Sequence, residues 1–157
     1  MRPTNEELLR IIQTGVMTHA APDVQANYNK AQLGFSALLF MVASRDIDSG
    51  VADLVEGNAA LRALLAELHD GLKSIDRDDA RAGIGAIAAL PAPEASLRLS
   101  ALRKENDALR AVISSLAPLI EPAGEDVSLA SLREVRTKLY AHLSADAKRR
   151  IVPILSA

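Results

Sequence analysis

The chain contains no cysteine and no tryptophan, and only 3% of its residues are aromatic. Without cysteine it can form no disulfide, no thiolate nucleophile and no cysteine-ligated zinc site. With so few aromatic side chains it offers a poor platform for stacking bases or sugars. The core must therefore be built from Leu, Ile, Val and Ala, which allow helices to pack closely.

A charge excess of either sign and a long apolar run are also missing. The formal net charge is −2, whereas binding to a phosphate backbone requires a strong basic excess. The longest apolar run, Leu33–Ala43, is far shorter than the ~20 residues of a membrane span. We interpret it as the most buried helix of a soluble core.

The N-terminal segment MRPTNEELLRIIQ carries acidic residues where a signal peptide would have its apolar stretch. Together with the lack of cysteine, this composition predicts a cytoplasmic protein. We expect it to bind no nucleic acid and to contain no membrane-spanning segment.

The apolar residues that are present recur three and four positions apart, which is helical spacing. No stretch alternates with the period of two that is typical of a strand. The 157 residues, 49% of them hydrophobic, suffice for one domain spanning residues 1–157. The sequence therefore predicts an all-α fold, a bundle of five or six main helices without a sheet.

Capping residues and prolines place the predicted helices of the first half. The capping box TNEE begins a first helix over residues 4–19. Pro22 suits the first turn of a second helix that ends near residue 47. The predicted third helix covers residues 51–74.

In the second half, a charged turn and a short Ala/Gly helix precede Pro91 and Pro93. A fifth helix begins near residue 94, and Pro118 is expected to bend or stop it. The cap of the next helix, which ends near residue 143, is Ser128 or Ser131. Ser144 is expected to cap a last short helix that Pro153 ends.

One helix motif occurs twice, as EGNAALRALLAEL from residue 56 and as ENDALRAVISSL from residue 105. Written in heptads, both copies place one asparagine at position a of an aliphatic seam, Asn58 in the first and Asn106 in the second. A lone asparagine at this position fixes helix register or oligomeric state, and its buried amide needs a partner. The aliphatic a and d positions are Val51, Leu54, Leu61, Leu65, Leu68, Leu72 and Ile75 in the first copy, and Leu99, Leu102, Leu109, Ile113, Leu116 and Ile120 in the second.

Three arrangements of the two amides remain open. If helices three and five ran parallel, Asn58 and Asn106 would lie at one level and could bond directly. An antiparallel hairpin would set Asn58 near Ser114 and Ser115, and Asn106 near Leu65.

Alternatively, each asparagine would meet its own copy across a dimer. Glu105 would then reach Arg110 of the second copy, although Arg98 and Arg103 would repel. The seams are also apolar at position g, at Leu64, Val112 and Leu119. This width favours core helices of a bundle over a two-stranded coiled coil. In either case we expect Asn106→Leu to raise thermal stability while loosening register.

Motifs that would carry chemistry are weak. GIGAIA, residues 83–88, matches a dinucleotide fingerprint, but no strand precedes it, so a helix of small residues is the favoured interpretation. The three histidines His19, His69 and His142 lack the Glu-x-x-His spacing of bundle metal sites, and a zinc site built from all three is the less favoured alternative. We therefore assign no catalytic, cofactor-binding or metal-binding residue. The remaining candidates for ligand binding are His69, His142, Arg62 and Arg110.

The N-terminal third, from PTNEELLRIIQ to the helix that ends FMVASRDID, resembles small uncharacterised all-helical bacterial proteins found beside phosphotransferase-like kinases and acyl-CoA dehydrogenases. The resemblance implies an all-helical bacterial protein, and it carries over no functional residue.

Leu-rich helix stripes without a catalytic constellation predict a non-enzymatic interaction module. It would be a coiled-coil-like homodimer that binds a protein partner through an apolar helix face and needs no cofactor. The second hypothesis is a small-molecule or acyl-chain binder, with an apolar pocket lined by Leu, Ile, Val and Met41. The third is an enzyme that uses a histidine as its acid–base group.

Overall fold

A computed structural model describes residues 4–150, apart from the side chains of Glu6, Arg45, Asp46, Asp48 and Arg150. These residues contain six α-helices and no strand. The predicted all-α fold is confirmed. Within these residues no helix is both long and apolar enough to cross a bilayer. The helices are α1 (Asn5–Gly15), α2 (Asn27–Asp48), α3 (Gly50–Leu72), α4 (Asp78–Ala88), α5 (Leu99–Ile120) and α6 (Arg133–Arg150).

Contacts between helices group the chain into two compact units, Met1–Ala52 and Asp53–Ala157. The sequence predicts one domain over residues 1–157, and the two units divide that range between them. The first unit contains α1 and α2, and the second contains almost all of α3 together with α4, α5 and α6.

The N-terminal unit begins with the predicted capping box. The Glu7 backbone N–H donates to Thr4 Oγ1 at 3.2 Å, and the Thr4 N–H donates to Glu7 Oε2 at 2.7 Å. A π-helical segment, Val16–Ala20, extends α1 to the predicted length. The expected start of the second helix is wrong. Pro22 lies in a turn that the Val24 N–H closes on the Ala21 carbonyl at 3.3 Å, and α2 begins five residues later.

The burial predicted for Leu33–Ala43 is also wrong. Ala37, 8% exposed, is the one residue of the described N-terminal unit that is buried, while Phe35 and Leu39 are 60% and 53% exposed. The reason is that α1 is the only other α-helix of this unit, so it covers one side of α2 and leaves the opposite side bare.

In the C-terminal unit, α3 and α5 run in the same direction. Asn58 is bonded to Asn106 near the beginning of the two helices. Further along, a Cβ added at Gly83 of α4 would touch both Leu72 and Leu116. Helix α6 runs the opposite way, because Lys138 Nζ lies 2.9 Å from Glu67 Oε2 and residue 146 pairs back to residue 110.

The apolar seams predicted from the two heptad series form the core of this unit, except for Val51, Leu54 and Leu99 near the helix starts, which are only partly buried. Leu61, Leu65, Leu68 and Leu109 are at most 1% exposed. The wider stripe holds as well, because Leu64 and Leu119 are buried with the seams. Burying each such side chain contributes about 1.5–3 kcal/mol. The cluster is completed by buried residues that follow α5, namely Ala123, Leu129, Leu132, Val135 and Leu139.

The start predicted for helix five is wrong by five residues, since α5 begins at Leu99. Local side chain to backbone bonds compete with helix formation before it. Glu94 Oε1 accepts from the Ser96 N–H at 2.8 Å, and Ser96 Oγ accepts from the Arg98 N–H at 3.2 Å. Pro118 does not stop α5, which continues to residue 120. Pro118 is exposed, so the carbonyl group that it leaves without a donor can bond to water.

The predicted caps near the last helix are wrong as well. Asp126, not a serine, accepts from the Ser128 N–H at 2.8 Å and caps a 3₁₀ segment, Val127–Leu132, which follows another 3₁₀ turn, Glu121–Gly124. Ser131 instead donates to the Gly71 carbonyl at 3.1 Å. Helix α6 passes through Ser144 without a break, because an exposed serine inside a helix costs only tenths of a kcal/mol, on the order of 0.5. Pro153 lies outside the described residues.

Candidate functional site

The two asparagines of the repeated motif meet each other inside the C-terminal unit. Asn58 is 3% exposed and Asn106 is 7% exposed. Asn106 Nδ2 donates to Asn58 Oδ1 at 2.7 Å. The contact lies within one chain and joins two parallel helices at one level. It therefore corresponds to the first of the three arrangements, and not to the antiparallel pairing or to amides that meet across two copies.

Both amides are bonded further. Asn58 Nδ2 donates to the Leu102 carbonyl at 3.0 Å and to Glu105 Oε2 at 3.1 Å. Asn106 Oδ1 accepts from Arg110 Nε at 2.8 Å. These bonds fix the orientation of both amides, because a flipped Asn58 amide would place its nitrogen against the nitrogen of Asn106.

An ion pair lies at each end of the amide pair. Glu105 Oε1 lies 2.6 Å from Arg62 Nη2, and Arg62 also donates to the Pro91 carbonyl at 2.9 Å. At the other end Arg110 donates to Asp146 of α6. Glu105 thus pairs with an arginine of its own chain, and the alternative in which it reaches Arg110 of a second copy is wrong. We call these six side chains the polar network: Arg62, Glu105, Asn58, Asn106, Arg110 and Asp146.

The bonds of the polar network run in one direction. A guanidinium donates to the Asn106 amide, which donates to the Asn58 amide, which donates to the Glu105 carboxylate. Each donor is polarised by the group that donates to it, so the bonds strengthen one another. Two cations and two anions balance, which lowers the cost of burying them. The network therefore holds α3, α5 and α6 at a common level, and its charged groups are engaged with each other.

Of the candidate residues, the structure brings Arg62 and Arg110 together with the two asparagines, and it places the histidines elsewhere. His69 Nδ1 lies 3.5 Å from Asp70 at the end of α3, and His19 is exposed in the π-helical segment. His142 is partly buried on α6. Among the described residues no group of three His, Asp or Glu side chains is placed to hold a metal ion.

The surroundings of His142 lower the pKa of its imidazole. Burial is the main cause that lowers its pKa below 6.5, and the charges of Arg149 and Arg110 lower it further. Asp146 acts in the opposite direction. The pKa of the imidazole therefore depends on the charges of Arg110 and Asp146 at one end of the polar network.

GIGAIA forms the C-terminal half of α4 and no strand precedes it, so it lacks the context of a dinucleotide site. Gly83 is buried, and a Cβ added there would lie 2.6 Å from Leu116 Cδ2 and 3.2 Å from Leu72 Cδ1. The glycine serves close helix packing.

Sequence reasoning missed two members of the polar network. Asp146 was not singled out, and Glu105 was assigned to a contact between copies. One local signal was present, because each asparagine is followed four residues later by an arginine, which helical geometry places on the same face. No such signal marks the acidic partners, because they come from other parts of the chain.

A second feature, on the N-terminal unit, is an exposed apolar surface. Tyr28, Phe35, Leu39 and Val42 lie on one side of α2, and their exposure ranges from 37% to 73%. The partly or fully buried Leu33, Ala37, Phe40 and Ser44 lie on the opposite side. We call this exposed side of α2 the outer face of the hairpin, and Leu8, Ile11 and Ile12 of α1 are exposed as well.

Comparison of the chain with protein-family models, with curated proteins and with solved structures finds no match. The resemblance of the N-terminal third to small helical bacterial proteins stays a prediction.

Proposed function

We propose that the chain is a non-enzymatic interaction module that binds a protein partner through the outer face of its N-terminal hairpin. The observation that carries this proposal is that nine large apolar side chains are exposed in this unit, while one of its described residues is buried. On the cysteine-free composition we also propose a cytoplasmic location.

The energetic argument concerns the helix α2. The run Leu33–Ala43 of this helix is mostly apolar, and such a run favours burial, because each large side chain left in water forgoes about 1.5–3 kcal/mol of burial free energy. Contiguous apolar surface of this kind marks interaction sites in folded proteins. We infer that a partner covers the outer face.

The C-terminal unit supports this interpretation in a different way. Its leucine core is closed, and the charged groups of its polar network are paired with each other. Such a unit acts as a stable body that carries the hairpin. Among the residues described, no cluster of metal ligands favours a metalloenzyme.

Sedimentation velocity over a concentration series, paired with binding of the dye anilinonaphthalene sulfonate, tests the proposal. We expect the chain either to self-associate or to bind the dye as a monomer. Phe35→Glu/Leu39→Glu should reduce the self-association or the dye fluorescence several-fold, because it places charge on the outer face.

The matched control is Leu97→Glu/Val127→Glu, which introduces the same two charges at side chains that are 68% and 79% exposed in the C-terminal unit. It should behave as the unaltered chain does. Circular dichroism checks that both variants keep their helices. A monomer that binds no dye would contradict the proposed function.

A further inference from the structure

We propose that the partner on the outer face is a second copy of this chain, with α2 of one copy packed along α2 of the other. This inference rests on the proposed function and names the occupant of the same surface. It differs from the dimer considered in the sequence analysis, in which the asparagine seams of α3 and α5 would have met.

The spacing of the exposed residues on α2 is that of a two-stranded helix seam. Tyr28, Gln32, Phe35, Leu39 and Val42 follow one another at intervals of four, three, four and three residues, the a/d repeat of paired helices. All five are exposed. The one polar member is satisfied within its own helix, because Gln32 Nε2 donates to the Tyr28 hydroxyl at 2.8 Å. The chain thus presents a coiled-coil seam to solvent.

The positions that flank this seam suit an identical partner. Pairing two copies sets like residues near one another, so charged flanks would repel unless their signs alternated. From residue 29 to residue 43 the flanking positions carry no charge. They are Asn29, Ala31, Ser36, Leu38 and Ala43, and the small ones allow close approach of the helix axes.

Pairing of α2 with α2 would cover the apolar side chains of the outer face. Two hairpins facing each other would form a four-helix arrangement, and the side chains now exposed on α2 would become its core.

The small size of the unit favours such a covering partner. The unit ends at Ala52, and two helices enclose too little volume to exclude water from a core. Chains of about this length are marginal on their own and are commonly stabilised by association.

Single-cysteine variants test the inference, because the natural chain has no cysteine to interfere. Leu39→Cys forms a disulfide between copies if the helices are parallel, since like positions then meet. An equimolar mixture of Phe35→Cys and Leu39→Cys forms the mixed disulfide if they are antiparallel, since d then faces a. Val127→Cys, at an exposed site outside the seam, is the matched control for random collision.

At micromolar protein, we expect one of the two seam experiments to yield dimer at least about tenfold faster than the control, because association raises the effective thiol concentration. The unaltered chain should sediment as a dimer, which checks the result without any substitution. Seam cross-linking at the control rate, together with a monomeric natural chain, would overturn the inference. If that monomer binds the dye, the surface serves another protein and the proposed function stands. If it binds none, both proposals fail.

Discussion

At the scale of single residues, burying Asn58 and Asn106 is tolerable only because their amides are bonded on both sides. An amide that loses its partner inside a protein costs about 1–3 kcal/mol. Here every Asn58 donor and its oxygen are used, and the oxygen of Asn106 accepts from a cation. The pair therefore belongs to one continuous polar path, and the removal of either member breaks that path.

Asn106→Leu should lower the free energy of unfolding by about 1–3 kcal/mol, because the Asn58 oxygen then stays buried without a donor. This reverses the expectation from sequence, which treated the amide as a device that leucine improves. Urea unfolding measures the change. Asp107→Leu, on the exposed side of the same helix, is the control and should shift stability by less than about 0.5 kcal/mol. A more stable Asn106→Leu protein would show that the network does not stabilise the fold.

At the scale of helices, α4 packs against its neighbours through Gly83 but not through Gly85. Nothing lies within 4 Å of a Cβ added at Gly85, whereas the same atom at Gly83 meets two buried leucines. The two positions lie in one helix and differ chiefly in this contact. They therefore separate the intrinsic helix preference from packing.

Gly85→Ala should stabilise the chain by about 0.5–1 kcal/mol, because alanine lowers the entropy cost of the helix. The free energy of unfolding of Gly83→Ala should be about 1–3 kcal/mol lower than that of Gly85→Ala, because the leucines lie in a packed core and have little room to move. Thermal and urea unfolding of both variants provide the comparison. An equal gain at the two sites would show that α4 is loosely packed.

Helix interiors were predictable from sequence, whereas several helix ends were not. The heptad series located the buried residues of α3 and α5 because periodicity is a local property. The start of α5 was missed because Glu94 and Ser96 bond to nearby backbone groups, and the sequence alone does not decide whether such residues cap a helix or replace it.

The acidic members of the polar network were missed because they lie far along the chain from the arginines with which they pair. Arg110 and Asp146 are 36 residues apart, so no local pattern joins them. The run Leu33–Ala43 was correctly recognised as apolar, yet apolarity states only that a side chain favours burial. It does not indicate which part of this or another molecule buries that side chain.

At the scale of the whole molecule, stability should depend on pH through His142. Its folded-state pKa lies below the 6.5 of the free side chain, mainly because of burial. The unfolded chain therefore binds the proton first as pH falls, so the stabilisation is fully present above pH 6.5 and is lost as pH drops through the lower folded-state pKa. We expect the free energy of unfolding to decrease from pH 7 toward pH 5, measured by urea titration at each pH.

His142→Gln should flatten this part of the pH profile, since glutamine does not titrate. An unchanged slope would assign the pH dependence to other groups. Bonds to Lys73, Arg77 and Ser128 lower the pKa values of Asp70, Asp79 and Asp126. Protonation of these carboxylates at lower pH therefore removes stability in both proteins. This acid limb serves as the internal control.

The parallel course of α3 and α5 has a consequence for how the C-terminal unit folds. Two parallel helices cannot be joined by a tight turn, so Asn58 meets Asn106, 48 positions further along, only after the chain between them has closed a loop. The entropy of that closure must be overcome before the contact contributes anything, and long-range contacts of this kind slow folding. We therefore expect the two amides to align late in folding, and their bond then links α3 to α5 in the folded unit.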